Sequence, residues 1–251
     1  MTQHLVVRSR AESPELWKAA SAIEAAAWAD LGFLNYTRAH YAFYTDLLER
    51  YPEYQLCLLD EQLGYPVAAA NCVPLACSGP DALPPEGWDW VVETAARGGV
   101  QSPNMLGALA ISVPAVHRAK GYARRMIHAL LMLAAKKKLN GVIAPVRPSG
   151  KAEHPFVSID DYITWTDDKG RAFDPWLRSH LSCGGKLVGP CKRSMVVDEP
   201  LAFWETWSKR RFQQSGRYAI DGAICPLDVD LDAQRGLYEE PNVWVTYDVN
   251  A

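Results

Sequence analysis

The sequence predicts a mixed α/β fold: an α+β arrangement of helices and strands around one mixed sheet. Three observations predict it. Apolar runs of strand length alternate with stretches of helical period along nearly the whole chain. The buried-strand run MLGALAISV (105–113) passes through a short basic turn into the amphipathic stretch YARRMIHALLMLAAKKKLNG (122–141). No shift in composition divides the 251 residues, 49% hydrophobic and 22% charged, so the chain is read as a single domain, 1–251.

In order, HLVVRSR (4–10) is a first strand. Ser13-Pro14-Glu15 opens a helix with proline at its first position, and Leu16, Ala20, Ile23, Ala27 and Leu31 recur at helical spacing. A second helix is expected from Thr37 to Arg50, ending before Pro52. YQLCLLD (54–60) and YPVAAANCVPL (65–75) are strands joined by EQLG. SGPDALPPEG (78–87) is a connector, and WDWVVETAARGG (88–99) is a short helix ending at glycine.

Within 122–141, Ala123, Met126, Ile127, Leu130 and Ala134 share one face, and Lys136, Lys137 and Lys138 meet the negative end of the helix dipole. GVIAPVR (141–147) is another buried strand. Residues 148–173 form an inserted polar loop with aromatics, a length that is often functional. DPWLRSHLSCGG (174–185) is a helix with Asp174 as N-cap. KLVG and RSMVV are strands, PLAFWETWSKRRF (200–212) a helix and YAIDGAICPLDVD (218–230) a strand. The aromatic tail GLYEEPNVWVTYDVNA (236–251) is expected to pack back on the body or to serve a homodimer interface.

The formal charge of −3 carries no nucleic-acid signature. Six cysteines, with no CxxC spacing and no histidine pair to complete a zinc pattern, point to buried reduced thiols in a cytoplasmic protein, with no metal expected. No run approaches ~20 apolar residues, so no membrane span is expected. The start MTQHLVVRSRAES lacks a signal-peptide core.

HRAKGYARRMI (117–127) has the makings of an anion site. The first N–H groups of a helix have no intrahelical acceptor, and the dipole adds positive charge there. Gly121 lets the backbone come close to a phosphate, while Arg118 and Lys120 add charge. Arg124 and Arg125 sit in the first turn, where the dipole disfavours cations, a cost that an anionic ligand relieves. The alternative is a solvated basic cap. Neither a Walker loop nor a GxGxxG fingerprint occurs.

The segment ISVPAVHRAKGYARRMI (111–127) resembles the acetyl-CoA-binding segment of the GCN5-related N-acetyltransferase (GNAT) superfamily. That pattern is an Arg or Gln, two residues, Gly, one residue, then Gly or Ala. Arg118, Gly121 and Ala123 meet it. The element order matches over the N-terminal half, 1–150. The C-terminal half, 151–251, matches less closely and carries extra elements. The resemblance implies a GNAT-like acyl-CoA N-acyltransferase fold with an extended C-terminal part.

It also implies an acyl donor, acetyl-CoA or another acyl-CoA. The pyrophosphate would rest on the turn Arg118, Ala119, Lys120, Gly121, Tyr122, Ala123 and Arg124. The pantetheine arm would lie between ALAISV, which includes Ile111, and GVIAPV, two parallel strands that splay apart. A backbone N–H near Val113 would polarise the thioester carbonyl while an acceptor amine attacks it directly. His180, four residues before Gly184, stands where relatives often carry a tyrosine acid for the departing thiolate. Relatives often place a glutamate base beside the motif strand, but no carboxylate occurs between Gln101 and His117. Glu93, Asp89 and Glu24 are the candidate replacements, and a water chain is the alternative. The aromatic segments WADLGFLNY (28–36), EGWDWV (86–91) and HPFVSIDDYITW (154–165) would shape the acceptor pocket or a lid. Three rivals stand beside this: use of a longer acyl-CoA or a carrier-protein thioester, a catalytically silent CoA-binding module, and a nucleotide hydrolase, which lacks a magnesium carboxylate pattern.

Overall fold

Period-two strands with both faces apolar need a helical layer on each side, and the chain supplies both. The computed structural model describes residues 4–79, 82–97 and 102–249. Its strands are β1 (Leu5–Ser9), β2 (Gln55–Asp60), β3 (Tyr65–Leu75), β4 (Met105–Ser112), β5 (Gly141–Val146), β6 (Lys186–Pro200), β7 (Gly216–Tyr218), β8 (Leu227–Asp230) and β9 (Arg235–Asp248). They form one sheet in the order β1-β2-β3-β4-β5-β9-β8-β7, with β6 also paired to β9. Only β4 and β5 run parallel; the other pairs are antiparallel.

The helices are α1 (Trp17–Trp28), α2 (Thr45–Arg50), α3 (Gly87–Ala96), α4 (Tyr122–Lys136), α5 (Ile159–Tyr162), α6 (Pro175–Ser182) and α7 (Leu201–Ser208). Helix α4 is the crossover that a parallel pair requires. Alternate side chains of each strand feed opposite layers. Val142, Ala144, Val243 and Val245 pack under α4 and α6. Ile143 and Trp244 pack with α3 and α7 on the other side. Asp174 caps α6 as expected, its Oδ1 accepting from the N–H groups of Trp176 and Leu177 at 2.9 Å.

Several expectations change. The first helix begins as a 3-10 turn over Pro14–Leu16 and breaks again at Leu31, inside the 3-10 segment Ala29–Tyr36. The second contains a π-helical turn, His40–Tyr44. KLVG and RSMVV fuse into the single bulged strand β6. YAIDGAICPLDVD splits between β7 and β8. The tail forms β9, flanked by β5, β6 and β8, with Tyr238 and Val243 fully buried. Its apolar side chains are used within the chain, which removes the sequence argument for an interface there.

The loop 148–173 is organised rather than open. Lys151 is 1% exposed, and its Nζ donates to the carbonyls of Val157 (2.6 Å), Ile224 (2.8 Å) and His154 (3.4 Å). His154, Tyr162, Trp165 and Phe173 pack against one another. The glycine stop expected at Gly98–Gly99 and part of the 78–87 connector lie outside the described residues. Among the described residues, no helix is long and apolar enough to cross a membrane.

Candidate active site

Strands β4 and β5 pair only at Met105–Gly141, Leu106–Val142 and Gly107–Ile143, and then part. Each stays zipped to its outer neighbour. β4 follows β3 as far as Ser112 opposite Ala69, and β5 follows β9 as far as Val146 opposite Val243. A bulge contributes to the parting. Cys72 faces Ala108 while Asn71 faces Ala110, so Leu109 is an extra residue that bends β4. The indole N–H of Trp88 donates to the Leu109 carbonyl at 2.9 Å, so the bulge leaves no orphaned acceptor there. Pro145 sits in the opened stretch, where its missing N–H costs no β4–β5 bond. The wedge opens into a cleft of about 700 Å³, within the range of ligand pockets.

At the end of β4 the basic turn rises to α4. Gly121 caps the helix in the left-handed conformation (φ 77°), and Ala119 is also left-handed (φ 62°). Such curled backbone makes anion-binding concavities. The first hydrogen bond of α4 runs from the Arg125 N–H to the Gly121 carbonyl, so the amides of Ala123 and Arg124 have no intrahelical acceptor. Arg118, Lys120 and Arg124 are exposed, whereas Tyr122 is buried in the core beneath the helix. Lys120 Nζ lies 3.2 Å from His117 Nδ1. Ile111 lines the cleft. Val113 packs against the core under α4, outside the cleft lining. The open wedge and the glycine turn fit the acyl-CoA that the motif implies.

The opposite wall comes from α1, the 3-10 segment and the π-turn. Trp28 anchors α1 to β4 by donating its indole N–H to Ser112 Oγ at 3.0 Å. Glu24 lines the cleft and accepts a hydrogen bond from the Tyr44 hydroxyl. Asn71 Nδ2 donates in turn to Tyr44 Oη at 2.9 Å. Burial raises the Glu24 carboxyl above its usual range, against the opposing effect of its hydrogen bonds with Tyr44 and Asn71. The π-turn stacks His40 on Tyr44, centroids 4.6 Å apart at 23°, and burial lowers the imidazole pKa. Glu49 also lines this cleft, as does Asn242, whose buried Oδ1 has no hydrogen-bond partner. The sequence reading named Glu24 only among alternatives and missed Tyr44, Asn71 and Asn242. A buried-strand asparagine in YPVAAANCVPL was the one local signal.

His180 lies in the cleft wall, 4% exposed, with Nδ1 2.8 Å from the Tyr247 hydroxyl. Burial holds its pKa down at about 4, so at neutral pH the ring is an uncharged hydrogen-bonding group and not an imidazolium acid. The unfolded ring titrates near ~6.5. Between those values only the unfolded chain takes up the proton, so stability falls as the pH drops through that window. Denaturant titrations at neutral pH and near pH 4 should differ by about 3 kcal/mol more in the wild type than in His180→Gln.

Glu93 is not brought to the cleft. It pairs with Arg97 at 3.1 Å and lines a second cavity with Asp89. Asp89 Oδ2 accepts from the Val196 N–H at 3.0 Å, and burial lifts its carboxyl to about 7. Helix α3 presents Trp88 to the cleft and these acids to the other cavity. None of residues 148–173 lines the cleft; the loop packs instead on the body of the fold, through buried Ile159 and the Lys151 bond to the Ile224 carbonyl.

No protein-family model matches the chain. Arginine N-acetyltransferase avaD of Aspergillus versicolor is 34% identical over 206 residues, covering 73% of this chain and 71% of that protein. Among solved structures, the loading GNATL domain of CurA from Lyngbya majuscula has a TM-score of 0.61 at 16% identity and covers 98% of both chains. The GphF GNAT-like decarboxylase in complex with isobutyryl-CoA has a TM-score of 0.60 at 18% identity, covering 97% of this chain and 99% of that one. These two share the fold. The avaD match extends over most of the chain, on a fold whose wedge and glycine turn fall where the acetyl-CoA motif requires them, and the chain therefore belongs to the GCN5-related N-acetyltransferase superfamily of acyltransferases.

Proposed function

We propose that this acyl-CoA-dependent N-acyltransferase acetylates arginine or a compound with an arginine-like cationic head, in the cytoplasm. The observation that carries the donor half is the parting of β4 and β5 after Gly107 and Ile143, beside the capped start of α4. Acetyl-CoA supplies the activated thioester. Arg118, Lys120, Gly121, Ala123 and Arg124 hold its phosphates, by charge from the side chains and by N–H groups at the helix start. The β4 backbone near Ile111 and Val113 aligns the arm and offers an N–H to the carbonyl oxygen. His180 lines the cleft with its Nδ1 held by the Tyr247 hydroxyl.

The acceptor half is supported by the charge and shape of the other wall. A guanidinium carries five N–H donors and a flat face. The cleft offers acceptors at Glu49 and the unpartnered Asn242 Oδ1, and flat faces at Trp17, Trp28 and Trp88. The relative's name, an arginine N-acetyltransferase, agrees with this chemistry. Six free thiols support a reducing compartment.

The test is incubation with acetyl-CoA and arginine, alongside agmatine, lysine and a neutral amine, read by thiol release and by mass spectrometry. Acetylated arginine or agmatine is expected to dominate. Preferential acetylation of the neutral amine would overturn the cationic acceptor.

A further inference from the structure

We infer that Glu24 is the proton acceptor for the incoming nitrogen, held for that task by Tyr44 and Asn71 as positioning residues. This rests on the acyltransferase reading, not on arginine as the acceptor.

The geometry carries it. The parted ends of β4 form one wall of the cleft, and Glu24 of α1 lines the facing wall. No carboxylate occurs on β4 itself. The Glu24 carboxyl is held in a chain of two hydrogen bonds, from the Tyr44 hydroxyl to Glu24 and from Asn71 Nδ2 to Tyr44 Oη at 2.9 Å. Both partners are fixed. Asn71 is 2% exposed on a central strand, and Tyr44 is 7% exposed and clamped by His40 and Trp88. The π-turn sets this up by placing His40 and Tyr44 face to face, and single π-turns are common at functional sites.

Glu24 has no ion-pair partner among the described residues. The other charged or titratable groups on the cleft are Arg10, Glu49, His40, Arg147 and His180. Arg147 is already bound to Glu240 at 2.9 Å, and Arg10 donates to the Leu48 carbonyl at 3.2 Å while lying over Trp17. Among the described residues, no cation therefore pairs with Glu24 before the acceptor arrives. Burial raises its carboxyl pKa above the ordinary glutamate range, which makes it a better base.

In the step, Glu24 takes one proton from the cationic nitrogen. The freed lone pair forms a C–N bond to the thioester carbonyl carbon, and the C–S bond breaks with its electron pair on sulfur. A second proton from the same nitrogen goes to that sulfur, and the proton on Glu24 passes to solvent through the open cleft.

The experiment compares wild type, Glu24→Gln, Glu24→Asp and Tyr44→Phe, using the best acceptor from a panel of amines. Rates are measured against pH, and folding and donor binding are followed by the acetyl-CoA-induced thermal shift. Glu24→Gln is expected to lose kcat by roughly a hundredfold or more, to lose the acidic limb of the pH profile, and to keep the thermal shift. Glu24→Asp should retain part of the rate with that limb. Tyr44→Phe removes a hydrogen bond that favours the ionised carboxylate, so its acidic limb should move to higher pH. Wild-type kcat or an unchanged acidic limb in Glu24→Gln would overturn the assignment alone. If Glu24→Gln does not fold, an unmoved limb in Tyr44→Phe overturns it. A wild-type enzyme that turns over no amine in the panel overturns the acyl-transfer reading, and this assignment with it.

Discussion

Acetyl-CoA at a hundred times its Kd raises the melting temperature of the wild-type protein by roughly 5–10 °C and leaves Gly121→Val unmoved. The size follows from linkage. A ligand that binds only the folded state at that excess adds about 2.7 kcal/mol, and a chain of this length gains a few degrees per kcal/mol. The failure of Gly121→Val follows from the backbone. Gly121 caps α4 at φ 77°, where a β-branched residue is a steric outlier. A Cβ there meets nothing within 4 Å, so the fold survives, with a local cost of about 1–2 kcal/mol that lowers the unliganded melting temperature. The close approach of backbone amides to a phosphate is lost, because a turn that a β-branched residue cannot hold relaxes. Scanning fluorimetry over an acetyl-CoA series measures both quantities. An equal ligand-induced shift in the two proteins would remove the glycine turn from the donor site.

The donor half was legible in the sequence because its signal is local. Arg118, Gly121 and Ala123 are close in sequence, and the amphipathic helix that follows fixes their context. The strands on either side were readable as apolar runs, and the parallel pair forms as the motif implied. Other features depend on distant partners. The bulge at Leu109 exists only in register with β3, and nothing in MLGALAISV marks the extra residue. The pairing of Glu24 with Tyr44 depends on one π-turn in a segment whose composition reads as plain α-helix. Glu93 was one of three carboxylates offered in place of the one that the motif strand lacks, yet α3 aims it into another cavity. The tail carried strong strand composition, but composition cannot say that the last strand enters the middle of a sheet. Position in the sheet is decided by β5, whose edge beyond β4 would be bare without β9.

The other large effect lies away from the reacting groups. Trp204→Ala is expected to cost about 5 kcal/mol, a large share of what holds a typical domain together. Trp204 is fully buried, and truncating a buried tryptophan leaves a cavity that its neighbours fill only in part. Its indole N–H also donates to the Gly236 carbonyl at 2.8 Å, an acceptor left unpartnered in the variant. The fit against Gly236 is close enough that a Cβ on that glycine would collide with the Trp204 ring. Loss of this ring reaches the cleft by two routes. Phe33 packs on Trp204 with centroids 5.7 Å apart, and Phe33 anchors the segment whose Leu31, Gly32 and Asn35 line the acceptor side. Tyr238 packs on Trp204 at 6.2 Å and donates to Glu240, which in turn binds Arg147 at the cleft wall. Helix α4 and its core lie on the opposite face of the sheet. The variant should therefore show a raised KM for the acceptor while keeping the acetyl-CoA-induced thermal shift, and Trp204→Phe should recover most of the stability. Denaturant titration and acceptor kinetics on the same preparations separate these effects. A stability loss below about 1 kcal/mol, or a lost donor response with acceptor KM unchanged, would show that α7 does not buttress the acceptor wall.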